Sequence, residues 1–420
     1  MSRNLSRRCF VGTSALAAGA WVIAGRSGVA FAQGATIKCG VVTSLSGENM
    51  MGGTLTRRGY ELWSEQINKK GGVEIGGQRY PVEMFYGDAQ SEPSSGAAAA
   101  ERLIVQDEVD VLFGPYTSGV TLAVQPICTK YRVPMISGSA ESPNVWLAQP
   151  PFNFGMIPSV DLSSGKSIGL IAENAKDPKP QTAAVIGVNE PFSKETAEGF
   201  RQGVEEVGLD LKHYELIPAK ADLTPIISNL AAMNPDLVAV GGHEEVLINF
   251  VRAAKSLNFR PKAIIMHYGV TAPAFAEQLG ADADGVFGIT MWTADVPFED
   301  GLFGSAKDYD QLSFERWGTH PDYTEAACSA SGLVLMDAAA RLGKAPPWSQ
   351  EDHQALAQAI EATDVETFYG PVKFETSGDH FHDNTQPIPV LIQIKKGQTV
   401  PVAPADSAKE EMIYPLPAWS

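Results

Sequence analysis

The chain has 420 residues, 44% of them apolar, with 49 acids against 32 bases and a formal charge of −17. That length and apolar content suffice for two or three domains with proper cores, which excludes a disordered chain and a disulfide-stapled miniprotein. The negative balance excludes nucleic acid as a partner, because a phosphate backbone is bound by a basic face that releases its counterions.

The charge is uneven along the chain. Residues 1–32 hold Arg3, Arg7, Arg8 and Arg26 and no acid. An Ala-rich apolar run from Phe10 to Ala24 follows the arginine pair; it is too short and too broken by Gly for a membrane span, and Ala30-Phe31-Ala32 offers a small-x-small cleavage pattern. The segment reads as an export signal peptide, and Ser6-Arg7-Arg8-Cys9-Phe10-Val11 resembles the twin-arginine type. Without those four arginines the chain keeps 28 of its 32 bases against 49 acids, a net −21. Cys9 falls within the signal. Cys39, Cys128 and Cys328 lie far apart in apolar stretches without a CxxC, so they read as small buried hydrophobes.

From Thr36 onward, β-rich runs alternate with helical ones. Ile37 to Val42 predicts a buried strand, Leu55 to Ile67 an amphipathic helix, and Lys69-Lys70-Gly71-Gly72 its stop. Val82 to Tyr86 is a strand, Ser94 to Gln106 a helix, Val109 to Phe113 a strand, Val120 to Tyr131 a helix and Val133 to Ser137 a strand. Strands joined by such helices require right-handed parallel crossovers, so this part is a doubly wound α/β lobe. A second series follows the Pro-rich stretch from Ala175 to Pro180. Its strands are Ala183 to Gly187, Leu209 to Tyr214, Leu237 to Val240 and Ala263 to Met266; its helices are Ser193 to Glu206, Pro225 to Met233 and Glu244 to Leu257. Thr324 to Leu342 is a long Ala-rich helix, and Gly370 to Phe374 with Val390 to Ile394 reads as closing strands around a turn at Ser377-Gly378-Asp379. Two α/β lobes facing each other place one ligand crevice beyond their strand ends.

The loops after strands carry the chemistry. The first runs from Thr43 through Met51 to Gly53, with small residues that allow close backbone approach. The next are Gly114-Pro115-Tyr116-Thr117-Ser118-Gly119 and Ser137-Gly138-Ser139-Ala140-Glu141-Ser142-Pro143. Hydroxyls at helix starts, backed by free amides and the helix dipole, can capture a small carboxylate; they can equally be ordinary N-caps.

Taken in order, Thr36 to Val42 with Ser46-Gly47, "NKKGGV" at Asn68 to Val73, Gly114-Pro115 with Ser118, "VPMIS" at Val133 to Ser137, "DLVAVGG" at Asp236 to Gly242, "LVLMDAA" at Leu333 to Ala339 and "GPVKF" at Gly370 to Phe374 resemble the periplasmic leucine/isoleucine/valine-binding proteins of ABC importers. The resemblance covers residues 35 to 398. It implies two α/β lobes joined by a three-crossing hinge, with lobe 1 at 33–157 plus about 290–385 and lobe 2 at 158–289 plus about 386–420. By position it puts Ser118 on the ligand carboxylate, with a backbone group near Ser139 and Ala140 beside it, and Phe192 and His243 as aromatic walls. Glu141 stands where amino-acid binders carry a threonine. The loop Met266-His267-Tyr268-Gly269 stands where they present an acid to the ligand ammonium, and here it holds none.

Two readings of the ligand follow. An amino-acid-like solute could place its ammonium on Glu141, or the cleft could take an amide, urea-like or aromatic carboxylate solute; Glu141 could also be a solvated loop acid. Tyr116, Phe192, His243 and Tyr268 make the crevice aromatic. Catalytic and cofactor patterns fail: Ser164-Gly165-Lys166-Ser167 lacks the first glycine of a phosphate loop, since position 160 is Val, and His380-Phe381-His382-Asp383 falls in a predicted surface turn. The expectation is a monomeric periplasmic binding protein, not an enzyme, without metal or cofactor, that delivers a small solute to an inner-membrane ABC permease. An accessory ligand sensor is the alternative. In so negative a field an anionic solute would depend on local hydroxyls and helix amides.

Overall fold

The computed structural model describes residues 35–419. The export signal and Cys9 lie outside the described residues. The first sheet has five parallel strands in the order Val82–Asp88, Ile37–Thr43, Val111–Phe113, Met135–Ser137, Asn153–Gly155. The apolar runs of the four strands inside the edge strand Val82–Asp88 are buried on both faces by the helices between them, as parallel strands require. The second sheet has seven strands, ordered Gln398–Ala403, Val390–Lys395, Phe287–Thr290, Ala263–Met266, Leu237–Gly241, Thr182–Val188, Asp210–Ile217. It is parallel except where Val390–Lys395 pairs antiparallel with Phe287–Thr290 and Gln398–Ala403. The molecule is thus two α/β lobes, and the chain passes between them after Asn153–Gly155, after Phe287–Thr290 and before Val390–Lys395.

One expected pairing is overturned. The strands Gly370–Lys373 and Val390–Lys395 do not close on each other: the first forms a hairpin with Asp364–Thr367, and the second joins the other lobe. The turn between them belongs to the third crossing, which separates rather than joins them. His382 and Asp383 are also not in a surface turn, being 1% and 0% exposed. There the third crossing is bonded to the edge strand of the first sheet, Gly155 N donating to His382 O and Asn384 N to Gly155 O (both 2.9 Å), and to the first crossing, where Ser159 N and Oγ donate to Asp383 Oδ2 at 3.0 and 2.7 Å.

The helix Met50–Lys69 starts five residues before the predicted Leu55. Gly52 and Gly53, which argue for a loop in sequence, serve packing instead. A Cβ on Gly53 would lie 1.9 Å from Ser44 O, and one on Gly52 would lie 2.1 Å from the Tyr116 ring. The same helix packs closely on Tyr323–Leu342, where Gly59 meets Glu325 O and Gly332 meets the Trp63 ring. Ser164-Gly165-Lys166-Ser167 forms the first turn of the helix Ser164–Asn174, and Gly165 packs backbone to backbone on Gly199 and Gly203 of Pro191–Glu206. Its glycine is there for helix contact. Cys39, Cys128 and Cys328 are free and buried. Among the described residues no helix is long and apolar enough to cross a membrane.

Candidate solute site between the lobes

Two loops of the first lobe are set by one hydroxyl. Tyr60, stacked on Phe113 at 4.7 Å, accepts from Gly114 N and Gly138 N, each at 3.0 Å, and donates to Ile136 O at 3.3 Å. Gly114 N has a second acceptor in Ile136 O, whereas Tyr60 Oη is the acceptor recorded for Gly138 N. Tyr60→Phe therefore strands a buried amide, and urea unfolding should show a loss of about 1–3 kcal/mol at unchanged m. An unchanged midpoint would mean that water or a loop shift satisfies Gly138.

From these loops come the first-lobe side chains. Thr117 is the N-cap of the helix Ser118–Tyr131, accepting from Val120 N at 3.3 Å, so Ser118 has another task. Its Oγ accepts from Glu141 N and Ser142 N at 3.3 and 3.1 Å. Ser139 Oγ donates to Pro115 O at 3.2 Å, and Ala140 N donates to Ser137 Oγ at 3.1 Å.

The second lobe answers with rings. His243 lies 5.0 Å from Phe192 and 5.3 Å from Tyr116, and Tyr268 lies 5.8 Å from Tyr116 and 6.5 Å from Phe192. Tyr116 bridges the lobes: its hydroxyl donates to Glu244 Oε2 at 3.0 Å and lies 3.1 Å from His243 Nδ1. Phe192 and Tyr268 pack into the first lobe's core cluster, while Met51 packs against the second lobe's. The lobes are closed on each other.

Tyr116, Ser118, Ser139, Glu141, Phe192, His243 and Tyr268 surround one cavity of about 10 Å³, so its walls must draw apart to admit a solute. Met51 and Ala140 are not among them. Met51 sits at the outer edge, 3.4 Å from Gln278 Nε2, because the first turn of its helix carries it across the cleft. The Ala140 methyl packs with Val145 and Trp146 on the far side of its loop. Outside the cavity the cleft opens into a mouth of about 780 Å³.

Glu141 is 1% exposed, which removes the solvated-loop reading. Burial pushes its carboxyl well above the usual range despite the hydrogen bond that Tyr323 donates to Oε1 at 2.9 Å. Two further buried acids lie outside the cavity lining: Glu244, which accepts from the Tyr116 hydroxyl, and Asp322, the N-cap of the helix Tyr323–Leu342. Both are buried and raised by that burial, Asp322 to about 7. His267 is driven the other way by burial, to about 3, so it is neutral. His243 is raised: burial opposes its charge, but the nearby Glu190, 3.5 Å from Nε2, and Glu244 outweigh it. Glu244, Asp322 and Tyr323 were not picked out in the sequence. A usable signal was Asp322-x-x-Glu325 opening a long apolar helix, a capping pattern that fixes where that helix starts. His380 and His382 do not converge on one point: the first faces Asp161 and Asp383, the second Asn153 O and Glu361.

Two lobes that meet over a buried polar cavity and are tied only by three crossings make a binding protein that encloses its solute. The comparisons agree: the family model described as periplasmic binding protein matches residues 36–398. A Leu/Ile/Val-binding protein homolog of Brucella suis is 23% identical, covering 91% of this chain and 94% of that protein. The leucine-binding protein LivK of Thermotoga maritima superposes with a TM-score of 0.75 at 21% identity, over 88% of this chain and 98% of that one. A solute-binding protein of an ABC transporter from Rhodopseudomonas palustris, solved with 3,4-dihydroxybenzoic acid, has a TM-score of 0.73 at 19% identity, over 89% and 98%. The chain belongs to the periplasmic binding protein family.

Proposed function

We propose that this chain is the periplasmic, monomeric capture component of an ABC importer, closing its lobes around a small amine-bearing solute and presenting the closed form to an inner-membrane permease. The observation that carries this reading is Glu141, buried at the cavity wall with Oε2 unpartnered. Such an acid is costly unless an opposite charge reaches it, and an ammonium is the natural one. Ser118 and Ser139 offer hydroxyls from lobe 1; Phe192, His243 and Tyr268 wall the solute from lobe 2. The lobe limits that go with this are 33–157 plus about 290–385, and 158–289 plus about 386–420, joined at the three crossings that act as a hinge.

The aromatic-acid complex of the Rhodopseudomonas relative brings a second reading, which the ring-rich walls favour. The charge opposes it, since no Lys or Arg lines the cavity. A thermal-shift screen of amino acids, amines, amides, ureas and aromatic acids decides between them. A solute held only by the folded form adds about 2.7 kcal/mol at one hundred times its Kd. Amine-bearing compounds should raise Tm and aromatic acids should not; the reverse order would replace the first reading with the second.

A further inference from the structure

Beside the cavity the loop amides are engaged, while a carboxylate oxygen at its wall is bare. The amides and hydroxyl that would receive a carboxylate are already bonded: Glu141 N and Ser142 N to Ser118 Oγ, Ala140 N to Ser137 Oγ, Ser139 Oγ to Pro115 O. By contrast Glu141 Oε2 and the Tyr268 hydroxyl, on residues of the cavity wall, are buried without a hydrogen-bond partner, as are Glu244 Oε1 and Asp322 Oδ2 on residues that do not line it; all four side chains are only 1–3% exposed. Among the described residues no Lys or Arg pairs with any of these three acids; their neighbours include Tyr323, Tyr116, His267, Tyr268 and the Glu325 amide. Helix amides compensate Asp322 and Glu244 in part, as each stands at a helix start. Glu141 lies in a loop and has no such help.

His267 sharpens the point. Its Nε2 lies 2.8 Å from Ser163 Oγ, which itself donates to Val160 O at 3.3 Å. Its Nδ1 is buried without a hydrogen-bond partner, 3.9 Å from Glu141 Oε2. Two buried polar atoms thus face each other, too far apart to bond directly. A solute N–H entering there could reach Glu141 Oε2 at about 2.9 Å. The Tyr116, Tyr268 and Phe192 faces suit a cation with an apolar body. The mouth of the cleft is lined by Glu48, Glu92, Glu190, Asp222 and Glu245 against Lys220 alone, which draws cations inward.

We propose that the solute is a small organic cation, a protonated amine or amidine with an apolar body, that carries no carboxylate of its own. This rests on the cleft being the capture site, and narrows what it selects. A zwitterion would bring its carboxylate beside the unpartnered Glu141 with the loop amides already committed.

The test uses the exported full chain and two matched sets, isoamylamine, leucine and 4-methylpentanoate, and phenethylamine, phenylalanine and 3-phenylpropanoate, by thermal shift and titration calorimetry. An amine should bind at least tenfold more tightly than its amino acid, and Glu141→Gln should abolish the difference. The comparison on the unaltered protein needs no variant to fold. Leucine or phenylalanine binding as tightly as the amine, and sensitive to Glu141→Gln, overturns the carboxylate-free cation while the capture reading stands. Tightest binding of an acid, indifferent to Glu141→Gln, overturns both.

Discussion

Replacing Asp322 with asparagine makes the protein more stable than the parent at pH 8, by as much as ~4 kcal/mol, since the carboxyl is moved from 3.8 to about 7 and each unit is worth ~1.4 kcal/mol. Burial is the cause. The group is faced by the Tyr268 hydroxyl, by Glu244 and by the Glu325 amide, with no cation in reach to repay its desolvation. Because the folded pKa is the higher one, the folded chain holds the proton while the unfolded chain releases it. The stability is fully present below about pH 4 and is lost as pH rises toward 7. Asparagine keeps the N-cap of the helix Tyr323–Leu342 and cannot ionise, so it escapes that loss. The measurement is the difference between the two proteins in urea stability from pH 4 to 8.5. Parallel curves would mean that Asp322 ionises as freely folded as unfolded.

Glu141→Gln weakens an amine-bearing solute by ~2–5 kcal/mol, the range for removing one partner of a desolvated charge pair. At ~1.4 kcal/mol per decade this is a loss of roughly thirty-fold to several thousand-fold in affinity. Glutamine preserves shape and still accepts from the Tyr323 hydroxyl, so the change isolates charge from packing. A neutral solute of the same shape should lose little. Calorimetry with an amine and its neutral isostere distinguishes the cases: equal losses for both would show that Glu141 builds the wall without pairing with the solute.

Much of the fold could be read from local pattern, because apolar runs such as Ile37–Thr43 and Leu237–Gly241 are buried on both faces and alternate with helices of crossover length. What could not be read was pairing across the hinge. Val390–Lys395 finds its neighbour in Phe287–Thr290, about a hundred positions upstream, and nothing near either strand encodes that choice. Short strands fared likewise: the hairpin Val73–Ile75 with Gln78–Tyr80 is too brief to display a period. Around the cavity, Ser118, Glu141 and the aromatic residues were visible because they follow strand ends. Glu244 and Asp322 were hidden by their other role, since an acid at a helix start is already accounted for as a cap or dipole partner.

The bonding of the third crossing to the first has a mechanical consequence. Three independent straps between two bodies would leave a joint free to tilt and twist in several ways. Here two of the three are fastened together where Ser159 donates to Asp383, and the third crossing is also pinned to the edge of the first sheet at Gly155, so the two move as one strap. Two anchor points fix a line, and two bodies turning about one line have a single angle between them, as a door has and a ball joint does not. A membrane partner that reads this molecule then meets one coordinate, open or shut, whatever the size of the cargo within.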